Sequence, residues 1–243
     1  MTRRERVILS WSGGKDSALA LASLTEDPSV EVVGLITSVT RGYDRVSIHG
    51  VRRVLLEAQA AALGLPLTEI VLDPQCSNEA YAAAFLAGVR EARNTHAELD
   101  AIAFGDLFLA DVRAYRERLL SGSGLAPRFP IWDEPTAAAA ERCVALGIHA
   151  RLVCVDTTQL AASFVGRLFD RSLLADLPPG VDPCGERGEF HTFVADGPGF
   201  AARVEYTVGE IVRRDDRFVY CDLLPSAAEL SLTAASQSAA EPS

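Results

Sequence analysis

The feature that most constrains this chain is an alternation over its first 156 residues, in which short apolar or β-branched runs take turns with Ala- and Leu-rich stretches of helical period. Residues 6–10 (Arg-Val-Ile-Leu-Ser) predict a strand, and residues 17–24, beyond a Gly-Gly turn, predict a helix. Residues 31–37 predict a second strand, after which Val51, Val54, Leu55, Ala58 and Ala62 recur at helical spacing until Gly64 and Pro66 end the helix. Strands at 67–72 and 101–104, helices at 78–93, 110–120 and 136–146, a loop around 127–135 and a fifth strand at 151–155 complete the pattern. Parallel strands need helical crossovers, so the expected fold is α/β, a Rossmann-like parallel sheet with helices on both faces.

From Thr157 the pattern changes. A helical stretch to about Leu174 leads into a Pro/Gly-rich segment, followed by strands at 190–195, 204–212 and 217–223, the last two joined as a hairpin at Asp215-Asp216. The expected organisation is an α/β domain over 1–156, a smaller C-terminal α+β region over 157–225, and a disordered Ala/Ser/Glu-rich tail over 226–243. At 49% apolar residues the chain can bury a real core, yet no run reaches the roughly 18 apolar residues of a membrane helix. The N-terminus runs into a strand instead of a secretory h-region, so a cytoplasmic location is expected. Five cysteines without a CxxC pair argue for reduced thiols. A net charge of −10 argues against a nucleic-acid partner and for a small one, and leaves a homodimer open.

The chemistry is concentrated in Ser12-Gly13-Gly14-Lys15-Asp16-Ser17, which lies between the first strand and the first helix. Two glycines let backbone approach an anion, and free N–H groups with the positive helix end face whatever sits there. Ser12 and Ser17 add hydroxyls and Lys15 a cation, whereas the carboxylate of Asp16 suits magnesium or fixes the loop. The hexapeptide is neither G-x-x-x-x-G-K-[ST] nor G-x-G-x-x-G.

Ser-Gly-Gly-Lys-Asp-Ser resembles the SGGxDS motif of the PP-loop ATP pyrophosphatases, whose sheet is of the HUP, or adenine nucleotide alpha hydrolase-like, type. A narrower resemblance is to the diphthine-ammonia ligase branch of that class. It is carried by His49-Gly50-Val51, Ala58-Gln59-Ala60 with Leu63-Gly64-Leu65-Pro66-Leu67, Gly105-Asp106, Asp182-Pro183-Cys184-Gly185-Glu186-Arg187-Gly188-Glu189-Phe190-His191-Thr192-Phe193 and Asp196-Gly197-Pro198. The resemblance implies an ATP- and magnesium-dependent ligase that adenylates a carboxylate, releases pyrophosphate and forms an amide with ammonia. Its alternatives are an adenylating enzyme with a tRNA or cofactor-precursor acceptor, and a nucleotide sensor that turns nothing over.

Further candidates follow. Gly105 and Asp106 end a strand at the carboxyl edge of the sheet, where Asp106 contacts magnesium or the acceptor, or else caps the next helix. Arg113 and Arg116, three residues apart on that helix, offer cations to phosphate or carboxylate, or form a solvated face. With Glu186 beside them, Glu189 and His191 point to one side of an extended chain and bind the acceptor, orient ammonia or act as acid and base, unless the segment is a buried structural turn. Ile36 and Thr37 end the second strand, where backbone meets adenine. His49 caps a helix or borders the pocket, and Cys184 reads as an inert thiol.

Overall fold

A computed structural model describes residues 3–42, 45–46, 50–96 and 98–226 of the chain. His49 and the tail beyond Ser226 lie outside the described residues. Strands β1 (Glu5–Ser10), β2 (Val30–Thr40), β4 (Leu67–Leu72), β5 (Ala101–Ala103) and β6 (Ala126–Arg128) form a parallel sheet in the order β4-β2-β1-β5-β6. The two-residue β3 (Arg45–Val46) pairs antiparallel with the far end of β2, on the side where β1 has already stopped.

The alternation along β1 shows why both faces are covered. Val7 and Leu9 enter one core cluster with Leu19 and Leu21 of α1 (Lys15–Glu26), Leu55 and Leu56 of α2 (Arg53–Leu63), and Ala139 and Ala140 of α5 (Thr136–Ala145). Ile8, between them, enters the other with Phe85 and Val89 of α3 (Asn78–Thr95) and Leu119 of α4 (Ala110–Leu120). Successive strand side chains point to opposite faces, so one strand supplies both cores.

Three expectations are corrected here. The fifth strand of the parallel sheet is β6, within the stretch read as a loop, and the run at 151–155 is β7 (His149–Asp156) of a second sheet. That sheet is antiparallel throughout, in the order β8-β7-β10-β9, with β8 (Phe190–Asp196), β9 (Tyr206–Arg214) and β10 (Phe218–Pro225). Residues 157–174 do not form one helix either: they hold a single 3₁₀ turn at Ala162–Phe164 and the start of a short α6 (Arg171–Asp176), with Gly166 in the left-handed region between them. The hairpin stands where it was expected, with Asp215 and Asp216 both at positive φ as a mirror-image turn requires.

The second sheet is not a separate globule. Leu152, Val155, Phe190 and Phe193 share one cluster with α1, α2 and α5, so the antiparallel sheet packs against one helical layer of the parallel one. No helix among the described residues is long and apolar enough to cross a membrane, and all five cysteines are free thiols.

Candidate functional site

The hexapeptide turn sits at the carboxyl edge of the parallel sheet, between β1 and α1. The helix begins at Lys15, two residues earlier than its apolar pattern suggests, so Asp16 lies in the first turn at the positive helix end. Gly13 has φ +78, and a Cβ there would stand 2.7 Å from Leu56 Cδ2 and 2.9 Å from Gln59 Oε1, so only glycine fits. At Gly105 a Cβ would stand 2.8 Å from the Asp16 carbonyl oxygen, which explains how the end of β5 comes directly against the start of α1.

The antiparallel sheet stitches this turn in place. Val194 N–H donates to the Gly13 carbonyl (2.9 Å) and Lys15 N–H to Thr192 Oγ1 (3.0 Å). Gln59, fully buried, is the hub: Trp11 Nε1 donates to its Oε1 (2.8 Å), and its Nε2 donates to the carbonyls of Gly13 (3.0 Å) and Val194 (2.5 Å). Sequence reasoning gave Gln59 no role, although a primary amide on a helix stripe otherwise made of Leu and Ala was the available signal. Gly14 N–H reaches Ser12 Oγ at 3.3 Å, so two amides of the turn have protein partners. Those of Asp16 and Ser17, in the first helical turn, have no intrahelical acceptor.

Lys15 occupies a place its motif does not announce. Only 2% exposed, it directs its three donors to Asp16 Oδ1 (2.8 Å), Asp16 Oδ2 (2.9 Å) and the Cys184 carbonyl, between the rings of Phe169 and Phe190 at 5.5 Å each. Burial, the largest single influence, would lower its pKa, but the Asp16 carboxylate together with Cys184 and Cys143 raises it, so the ammonium stays charged. It ties the C-terminal loop to the helix start.

A cleft of about 360 Å³ opens over the turn and gathers Ser12, Gly14, Lys15, Asp16, Ser17, Gly105, Asp106, Arg116, Glu186 and His191. Asp106 Oδ2 is buried without a hydrogen-bond partner among the described residues, 3.7 Å from Arg116 Nε. Burial raises its pKa, Arg116 opposes the shift and Asp16 adds to it. Glu186 accepts one long bond from Leu107 N–H (3.4 Å), and burial followed by the charge of Asp16 pushes its pKa up to about 7.

Glu189 is placed differently. It is 2% exposed and accepts from Asp182 N–H (2.9 Å) and Arg187 N–H (3.0 Å), closing the loop that presents Glu186 without lining the cleft. Arg113 also lies outside it: its guanidinium bonds Glu117 (2.9 Å) and stacks on Phe129 and Trp132. Cys184 is buried with its thiol donating to the Thr136 carbonyl (3.2 Å), and burial pushes its pKa up despite Lys15, as befits an inert thiol.

A second cleft, of about 560 Å³, continues over the ends of β1, β2 and β4 and is lined by Trp11, Thr37, Leu72, Pro74 and Tyr81 among others. Thr37 borders it, while Ile36 is buried in the sheet with its carbonyl accepting from Trp11 N–H (2.8 Å).

The donor set suits a hard cation only in part. Among the described residues no three carboxylate, His or Cys groups form a ready metal cluster. Magnesium, however, keeps several waters and takes one or two carboxylates beside substrate phosphates, and the unpartnered Oδ2 of Asp106 with Asp16 in the same cleft fits that pattern.

Comparison with known proteins agrees over both halves. A family model described as the diphthamide synthase N-terminal domain matches residues 5–127, and one described as the diphthamide synthase C-terminal domain matches residues 136–223. A curated protein of Schizosaccharomyces pombe named diphthine–ammonia ligase is 26% identical over 128 residues, which is 51% of this chain and 21% of that protein. The match therefore spans about a fifth of that relative's length.

Proposed function

From the premise that this chain belongs to the diphthamide synthase family, we propose that it is an ATP-dependent amide-forming ligase. Its substrates are ATP, ammonia and a carboxylate acceptor, either a protein side chain such as the diphthine of the fission-yeast relative's name or a small molecule. The observation that supports the reading is the cleft itself. Glycine-built backbone, the first turn of α1, two carboxylates suited to magnesium, Glu186 on an adjoining loop and His191 at the start of β8 meet at the carboxyl edge of a parallel sheet.

The nucleoside occupies the larger cleft beside Thr37, and the phosphates lie over residues 12–17. Asp16 and Asp106 would hold magnesium, which would supply charge neutralisation at the phosphate oxygens. Lys15 keeps Asp16 fixed and the loop at Cys184 docked. An oxygen of the acceptor carboxylate forms a bond to the α-phosphorus as the bond to the bridging oxygen breaks, and pyrophosphate leaves. Ammonia then forms a C–N bond at the acyl carbon, and the C–O bond to AMP breaks. The proton released from nitrogen needs a base on that side of the cleft. Glu186, with a pKa near 7, and His191 are in place to accept it, and Glu189 keeps the loop in shape.

The test incubates the protein with ATP, magnesium, ammonium and a panel that includes diphthine-bearing elongation factor 2. AMP and pyrophosphate should form together only with the right acceptor, and ADP with inorganic phosphate would overturn the reading.

A further inference from the structure

The two clefts share three residues, Ser10, Ser12 and Arg116, so any ligand that fills both must pass that point. In a nucleotide the group between sugar and polyphosphate is the α-phosphate. We propose that Arg116 is the residue that grips the α-phosphate, with Asp106 serving only as its counter-charge until nucleotide arrives. The proposal rests on the ATP reading above and deepens it.

The other cations of this region are committed elsewhere. Each donor of Lys15 has an acceptor, and Arg113 is bonded to Glu117 with its plane stacked on Phe129 and Trp132. Arg116 is oriented but not saturated. Its guanidinium lies 4.8 Å from the centre of the Phe104 ring and Nη1 donates to Tyr81 Oη (3.2 Å), while the buried Nε has no hydrogen-bond acceptor among the described residues. The nearest carboxylate oxygen, Asp106 Oδ2, stands 3.7 Å from Nε, too far for a hydrogen bond, and has no donor of its own. The 3.7 Å gap is too narrow for a further atom, so an anion would meet the guanidinium where Arg116 faces the clefts, and among the described residues Tyr81 is the one hydrogen-bond acceptor of its nitrogens. The planar guanidinium fork matches phosphate geometry.

The attacking and leaving oxygens of adenylation both bind this phosphorus, so the negative charge of the transition state grows on its non-bridging oxygens. A fixed guanidinium there binds the transition state more strongly than the ground state. That makes Arg116 a catalytic residue, whereas Tyr81 and Phe104 are positioning residues that hold its plane.

The experiment uses adenosine and AMP, which differ by the α-phosphate alone, titrated calorimetrically into the full chain in metal-free buffer. With R116M, AMP should bind about tenfold to a hundredfold more weakly while adenosine is unchanged. R116K should recover part of the loss, since it keeps the charge and loses the fork. D106N, which removes a negative charge beside the phosphate, should tighten AMP. Unchanged AMP binding in R116M, or equal weakening of AMP and adenosine, would overturn the proposal, and so would weaker AMP binding in D106N should R116M fail to fold. A wild-type chain that binds neither ATP nor AMP would sink the ATP reading as well, whereas failure confined to the variants would leave that reading standing.

Discussion

The end of β7 and the cleft over α1 both hold carboxylates out of water, and they treat them in opposite ways. Asp156, 1% exposed, accepts from Arg217 through two nitrogens (2.5 and 3.0 Å), from Thr158 N–H (3.0 Å) and Oγ1 (2.7 Å), and from Gln159 Nε2 (3.1 Å). These bonds, led by that from Arg217, hold its carboxyl well below the usual carboxylate range. In the cleft Asp106 has an oxygen with no partner and Glu186 one long bond, and both are pushed up by burial. A fold that saturates one buried carboxylate and starves two others has spent stability at the second place, and such places are where ligands supply what the protein withholds.

The contrast can be broken most severely at Asp156. Asp156→Ala removes every one of those acceptors and should cost about 3 kcal/mol in denaturant unfolding, while the surviving folded fraction still binds ATP. The same carboxylate sets a pH limit. Its folded pKa is depressed, so its stabilisation is present above the unfolded value of 3.8 and disappears as pH falls through the folded one. Acid titration of the unfolding free energy reads this directly.

Gly13→Ala forces a side chain into left-handed backbone against Leu56 and Gln59. The expected loss is about 2 kcal/mol of stability together with at least about tenfold of ATP affinity, measured by calorimetry, because the same atoms shape fold and site. Glu186→Gln should go the other way. With a folded pKa of about 7 against an ordinary value of 4.5, ionising Glu186 costs stability as pH rises between those values. The variant should therefore be more stable at pH 8, by up to about 2 kcal/mol after discounting for partial exposure, and no different from wild type below pH ~4.5. Its amide-forming rate should nevertheless fall. The smallest effect belongs to Arg113→Ala, which should cost under about 1 kcal/mol and leave nucleotide affinity untouched.

Much of the parallel sheet was legible because its strands are short apolar runs framed by helices with clear ends, such as Gly64 at φ +64 after α2. β6 was not, since Pro127 sits inside it and proline reads as a breaker. As an edge strand β6 pairs, among the described residues, only with β5 and tolerates a residue without an N–H. β7 was recognised as a strand, but a run of buried apolar residues does not say which sheet will bury it. In the site, the hexapeptide and the 182–193 segment were visible as motifs, yet the division of labour within them was not. Glu186 and Glu189 are three residues apart, and only the path of the loop decides that one faces the cleft while the other closes the turn. Lys15 likewise reads as a phosphate cation until the Cys184 carbonyl, from a distant segment, is found to claim it.

The most direct measurement is a crystal structure of the chain with a non-hydrolysable ATP analogue and magnesium. The expected density places the triphosphate against residues 13–17, the metal between Asp16 and Asp106, the α-phosphate on Arg116 and the base beside Thr37. Nucleotide bound elsewhere, or a triphosphate that makes no contact with the turn, would contradict the assignment of this cleft.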